Sequence, residues 1–147
     1  MTMMTPTIQA GTTRSTAPET TARTGLAPGT IVLTLRGEVP VENLRGGDRV
    51  ITRDKGAQTL RGVTQHFADT TTIAAGAFGR NRPERELRVS TNQPVMIRGE
   101  RTSLIAARHL AGVLRDAVEQ TLLYRLCFDA EHIIYADGLE LTTARAA

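Results

Sequence analysis

The stretch ELRVSTNQPVMIRG, residues 86–99, decides how the rest of the chain is read. Leu87 to Ser90 and Val95 to Arg98 are short β-prone runs. Thr91-Asn92-Gln93-Pro94 between them is polar and holds a proline. The pattern predicts a strand, a tight turn and a second strand. Such a turn can present a side chain to a reaction, and this one presents Gln93. A carboxamide makes hydrogen bonds but delivers no proton near neutral pH.

On either side, the same texture continues. Thr30 to Leu35 is a β-branched run between Pro28-Gly29 and Arg36-Gly37. Val39 to Leu44 suits a short strand and one helical turn, ended by Arg45-Gly46-Gly47-Asp48. Arg49 to Thr52 is a further strand, closed by Asp54-Lys55-Gly56. Thr59 to Gln65 and Thr70 to Ala75 are weaker strand candidates. Ile133 to Ala136 reads as the final strand, with Asp137-Gly138 as its turn. Turn signals recur roughly every 8 to 12 residues, as in an all-β domain. Ser103 to Leu110 carries a serine N-cap and a helical apolar face, which predicts a short helix. Residues 117–128 fit both periods: Leu122, Tyr124, Leu126 and Phe128 alternate, yet the apolar positions also suit a helix.

Composition sets the remaining bounds. The 147 residues fit one domain with a tail. Apolar residues make up 40% but aromatics only 3%, and Trp is absent, so the core must rest on aliphatic side chains. Residues 1–24 are rich in threonine and follow neither period, which predicts a disordered tail ahead of a domain over 25–147. The net charge is +3, and Lys55 is the single lysine. The arginines alternate with acids, as in Arg82-Pro83-Glu84-Arg85-Glu86. A solvated mixed surface is favoured over a nucleic-acid face. The lone cysteine, Cys127, excludes an intrachain disulfide. No apolar run reaches the roughly 18 residues of a membrane span, and no secretory signal opens the chain. The expected setting is cytoplasmic or reached by non-classical export. His66 and His109 lack partners at metal-ligand spacing, and Glu131 and His132, adjacent on a strand, face opposite ways. No metal, cofactor or catalytic triad is expected.

Three segments, taken in order, resemble the bacterial branch of the Hint domains, the fold of hedgehog autoprocessing domains and inteins. The first is GLAPGTIVLTLRGEVPVENLRGGDRVITRD, which matches at Gly29-Thr30, Thr34, Gly37, Pro40-Val41-Glu42, Leu44 and Gly47-Asp48. The second is LRVSTNQPVMI. The third is YRLCFDAEHIIYADGL, matching at Tyr124, Leu126, Phe128-Asp129, His132, Ala136 and Gly138. The resemblance covers about residues 25–147. It implies an all-β, flat horseshoe of short strands with pseudo-two-fold symmetry and one or two short helices. It also reads 117–128 as strand.

The resemblance further implies a chemistry. A Cys or Ser opening the domain attacks the carbonyl before it and turns an amide into a thioester or ester. A second-block histidine protonates the departing nitrogen. In inteins a terminal Asn then cyclises. Here the nucleophile position falls on Gly25 and the histidine position on Gln93. Ser90 keeps the Ser/Thr of that block, His132 keeps the late-block histidine, and residues 139–147 hold no His-Asn pair. The expectation is a non-catalytic folded module, monomeric, whose partner would be another protein. Two alternatives stand beside it. One is a self-cleaving domain using a displaced nucleophile, Thr24 or Cys127. The other is an arginine-rich binding module. Gly25→Cys with Gln93→His is expected to restore the two missing groups.

Overall fold

The computed structural model describes residues 24–97, 99–103 and 114–145. The threonine-rich stretch 1–23 and residues 104–110 of the expected helix lie outside these. Ser103, its expected cap, ends a strand instead.

The first hairpins show why the chain turns where it does. Strand β1 (Ile31–Thr34) alternates, with Val32 and Thr34 buried. It pairs with β2 (Gly37–Pro40) across a two-residue turn. Thr34 Oγ1 closes that turn, accepting from the Arg36 N–H at 3.0 Å and donating to the Gly37 carbonyl at 2.8 Å. The same device joins β3 (Arg49–Thr52) to β4 (Gly56–Thr59). There Thr52 Oγ1 accepts from the Lys55 N–H at 3.0 Å and donates to the Gly56 carbonyl at 2.6 Å. A hydroxyl that satisfies two backbone groups at once makes a tight turn inexpensive. Between these hairpins, Val41–Asn43 forms a 3-10 turn. Glu42 Oε1 reaches back to the Gly29 N–H at 2.7 Å, and Asp48 Oδ2 accepts from the Arg45 N–H at 3.0 Å. The Pro-Val-Glu-Asn-Leu and Gly-Asp residues are therefore scaffold.

The two weak strand candidates over 59–75 fall mostly on one strand, β5 (Gly62–Ile73), while Thr59 ends β4. It pairs along its length with β9 (Leu114–Phe128), with a register shift between Asp69 and Thr71. Local sequence read an interruption there, but the continuous partner keeps the ladder together. The same pairing makes 117–128 strand. The structure also corrects the expectation that Ile133 to Ala136 is last. After β10 (Ile133–Ala136) come β11 (Leu139–Thr142) and β12 (Ala144–Arg145).

With β6 (Leu87–Ser90), β7 (Pro94–Ile97) and β8 (Glu100–Ser103), the described strands form two sheets. One runs β2-β1-β3-β10-β11-β7-β8, with β4 on β3; the other runs β12-β9-β5-β6. The all-β expectation holds. The core is aliphatic, with Val32, Val50, Leu60, Ile73 and Val89 at 1% exposure or less and Phe128 the largest fully buried side chain.

One loop crosses over the β10–β11 turn. The Glu84 N–H donates to the Asp137 carbonyl at 2.7 Å, and Arg85 Nε meets Asp137 Oδ1 at 2.9 Å. Gly138, at φ +86°, lies under this loop, where a Cβ would sit 2.8 Å from the Asn81 carbonyl oxygen. Gly138→Ala is expected to cost about 2–3 kcal/mol, through backbone strain plus the clash. Gly29→Ala, at φ +91° with nothing within 4 Å, should cost only about 1 kcal/mol. Urea unfolding of both proteins checks the difference, and equal losses would mean that the loop yields freely.

Candidate functional site

Three pieces of chain converge at the 90–93 turn. Its own geometry comes first: the Gln93 N–H donates to the Ser90 carbonyl at 2.9 Å, and the Asn92 N–H reaches Ser90 Oγ at 3.3 Å. The second piece is residues 25–27, which lie between β6 and β9. Leu26 exchanges both backbone hydrogen bonds with Tyr124, at 2.9 and 2.8 Å. The Ser90 N–H donates to the Gly25 carbonyl at 2.9 Å and the Ala27 N–H to the Arg88 carbonyl at 3.0 Å. The third piece is the end of β11, at Thr142.

The Gln93 carboxamide joins all three. Its side chain is buried, with 1% of the residue exposed. Oε1 accepts from the Gly25 N–H at 2.9 Å, while Nε2 donates to the Thr142 carbonyl at 2.7 Å and the Pro94 carbonyl at 2.8 Å. The amide orientation follows from these partners, because flipping it would set donor against donor and acceptor against acceptor. The polarity matters chemically. Cleaving the Thr24–Gly25 amide requires a proton delivered to its nitrogen. Gln93 offers that N–H an acceptor, which favours the intact planar amide. The cavity beside it, lined by Thr24, Gly25, Gln93, Tyr124, Thr142 and Thr143 among others, measures about 10 Å³. That is at the threshold for one water molecule.

The other sequence-derived positions divide. Ser90 is buried and its hydroxyl shapes the turn. Thr24 is buried beside Gly25. His132 lies one residue further along the same chain of contacts. Its N–H donates to Thr143 Oγ1 at 3.0 Å, its carbonyl accepts from the Thr143 N–H at 2.9 Å, and its ring meets Phe128 edge-on. Its Nδ1 is 3.0 Å from Asp54 Oδ2, and Asp54 Oδ1 accepts from the Ile133 N–H. His132 thus clips the β3–β4 turn to the β10–β11 hairpin. Cys127 is half-buried and pairs with Gly62 and Ala144. It stands three residues beyond Tyr124 on β9, about 10 Å along the strand, and so away from the Thr24–Gly25 bond.

Sequence reading missed His66 and Leu123 as site residues. The β5–β9 register sets them opposite each other, and both abut Gly25. No motif marks either. Both His66 ring nitrogens are buried without a hydrogen-bond partner among the described residues. Burial, and then the positive charge of Arg125, hold its pKa below the usual imidazole value. Among the described residues no group of three metal-ligating side chains exists, and no helix is long and apolar enough to cross a membrane.

Two expectations follow. Gln93→Ala strands one buried N–H and two carbonyls, and should cost about 3–5 kcal/mol in urea unfolding. A loss below about 1 kcal/mol would mean that water replaces the side chain. The second concerns pH. Because the folded state depresses the His66 pKa below 6.5, its stabilising preference is fully present above pH 6.5 and is lost as pH falls. Asp54 acts in a separate window. Burial opposes its charge, but the Ile133 N–H and the His132 imidazole outweigh that and lower its pKa below 3.8. Its contribution is present above pH 3.8 and is lost in stronger acid. The urea midpoint should therefore drop between pH 7 and about 5, and His66→Gln should flatten that segment alone.

Comparison with known proteins places this geometry. A sequence model described as the Hint domain matches residues 24–146. No curated protein matches. The fold is similar to the DnaB intein of Synechocystis sp. PCC 6803, with TM-score 0.65 and 8% identity, covering 82% of this chain and 99% of that one. It is similar to the gp41-1 intein, with TM-score 0.59 and 14% identity, covering 83% and 98%. It is also similar to the bacterial intein-like domain from Clostridium thermocellum, with TM-score 0.59 and 15% identity, covering 82% and 98%. At such identities the structural likeness speaks for the fold alone, and the sequence match over 24–146 supplies the family: the chain belongs to the Hint domain family.

Proposed function

We propose that this Hint domain is a non-catalytic folded module that holds the Thr24–Gly25 peptide bond intact. The observation that carries the reading is the 2.9 Å hydrogen bond from the Gly25 N–H to Gln93 Oε1. Two steps of the family's acyl shift depend on groups at these positions. Attack on the Thr24 carbonyl needs a thiol or hydroxyl on residue 25, and glycine has neither. Departure of the amide nitrogen needs a proton donor, and Gln93 presents an acceptor.

The displaced nucleophiles gain no support. Cys127 lies along β9 from the bond. A Thr24 hydroxyl would attack the carbonyl preceding it, one bond upstream of the amide that Gln93 engages. The surface carries paired arginines, such as Arg36 with Asp48, Arg53 with Glu140 and Arg61 with Asp129. Exposed pairs of this kind read as a solvated surface. As a folded module, the domain would act through a protein partner.

The test uses the full chain carrying a tag ahead of Met1, incubated with and without a strong thiol and weighed intact. An unchanged mass in both samples is the expected result. A fragment ending at Thr24, or any thiol-dependent cleavage, would show that the domain still processes itself.

A further inference from the structure

We propose that Leu123 and His66 form a plug in the space that a side chain on residue 25 would need, so that cleavage restored at residues 25 and 93 stays slow until a third change makes room. This rests on the reading of Gly25 and Gln93 as the positions where the nucleophile and the proton donor are missing. It goes further, because it assigns a role to two residues that neither position predicts.

A Cβ built on Gly25 would lie 3.0 Å from both Cβ and Cδ1 of Leu123 and 3.2 Å from Cε1 of His66. Ordinary van der Waals contact begins near 3.4 Å. Leu123 has 0% exposure. Its Cβ is carried by a strand with pairing on both sides: β5 opposes it through His66, and Leu26 bonds the adjacent Tyr124. A strand held from two sides yields little. His66 closes the other flank with a ring whose nitrogens make no hydrogen bond among the described residues. A group serving only the fold would ordinarily satisfy at least one of them. Gly25 itself is not at a positive φ, so backbone conformation does not demand glycine here. The close approach of Leu123 and His66 is what favours glycine.

The first test is a double-mutant cycle on the full chain, read by thermal unfolding. Gly25→Ala alone should lower Tm by about 5 °C or more, as overpacking does. On a Leu123→Ala background it should cost nothing or raise Tm, because the new methyl fills the vacated space. The same loss in both backgrounds overturns the plug. Should Leu123→Ala fail to fold, His66→Ala takes its place in the cycle under the same criterion.

The second readout is one that a merely structural role would not move. Gly25→Cys with Gln93→His is compared with the same pair plus Leu123→Ala, each tagged and treated with dithiothreitol. The introduced thiol gives its proton to the imidazole and attacks the Thr24 carbonyl carbon, the C–N bond to residue 25 breaks, and the imidazolium returns that proton to the freed amine. Dithiothreitol then takes the acyl group and returns the thiol. Cleavage after Thr24 should be at least about tenfold faster with Leu123→Ala, a change in barrier of about 1.4 kcal/mol. Equal cleavage in both overturns the plug but leaves the wild-type mass measurement to judge the inactive reading independently. If neither variant cleaves, the unfolding cycle decides.

Discussion

The Gln93 carboxamide is the contact on which the organisation of this domain turns. One planar group receives the Gly25 N–H and donates to the carbonyls of Pro94 and Thr142. It thereby joins the entry of the domain, the turn between β6 and β7, and the end of β11. A buried amide is tolerated only when its partners are complementary, and here three backbone groups supply that. Glutamine suits the task because it carries both a donor and an acceptor end. An apolar replacement would leave each of the three backbone groups to find water, where the cavity has room for about one molecule.

Several contacts around this carboxamide serve the scaffold, whatever residue 25 can do. Residue 25 is still delivered to the turn, by Leu26 pairing with Tyr124 and by the Ser90 N–H on the Gly25 carbonyl. His132 still lies close by, but its hydrogen bonds go to Asp54 and Thr143, and they fasten hairpins together. Thr34, Glu42, Asp48 and Gly138, positions at which the sequence resembles the family, sit in or close turns. Such roles depend on backbone geometry and are indifferent to what residue 25 can attack. Leu123 and His66 come within 3.0 and 3.2 Å of where a Cβ on residue 25 would lie.

Much of the fold was legible from local pattern. The β-branched run at Ile31, the turn at Gly37 and the helical turn at Val41 each follow from residue types within a few positions. The strand–turn–strand at 86–99 was equally readable, because alternation and turn chemistry agree there. Reading failed where pairing overrides local signal. Thr59 to Ala75 looked like two weak strands, and only the long partner β9 makes it one. Residues 117–128 satisfied both periods, so nothing local could choose between them. Leu139 to Thr142 does alternate, but four residues are too few to stand alone, and pairing with β10 and β7 is what makes them a strand.

For the site, the sequence alone determined that residue 25 carries no side chain and residue 93 no ionisable group. Those are properties of residue types, and they need no coordinates. Only the tertiary structure decided what those positions now do. That Gln93 turns an acceptor toward the Gly25 N–H depends on how a side-chain torsion settles between two segments 49 and 68 residues away in sequence. That Leu123 and His66 occupy the neighbouring space depends on the β5–β9 register. Register is a long-range choice, set by which faces can be buried together, and no motif in either strand records it.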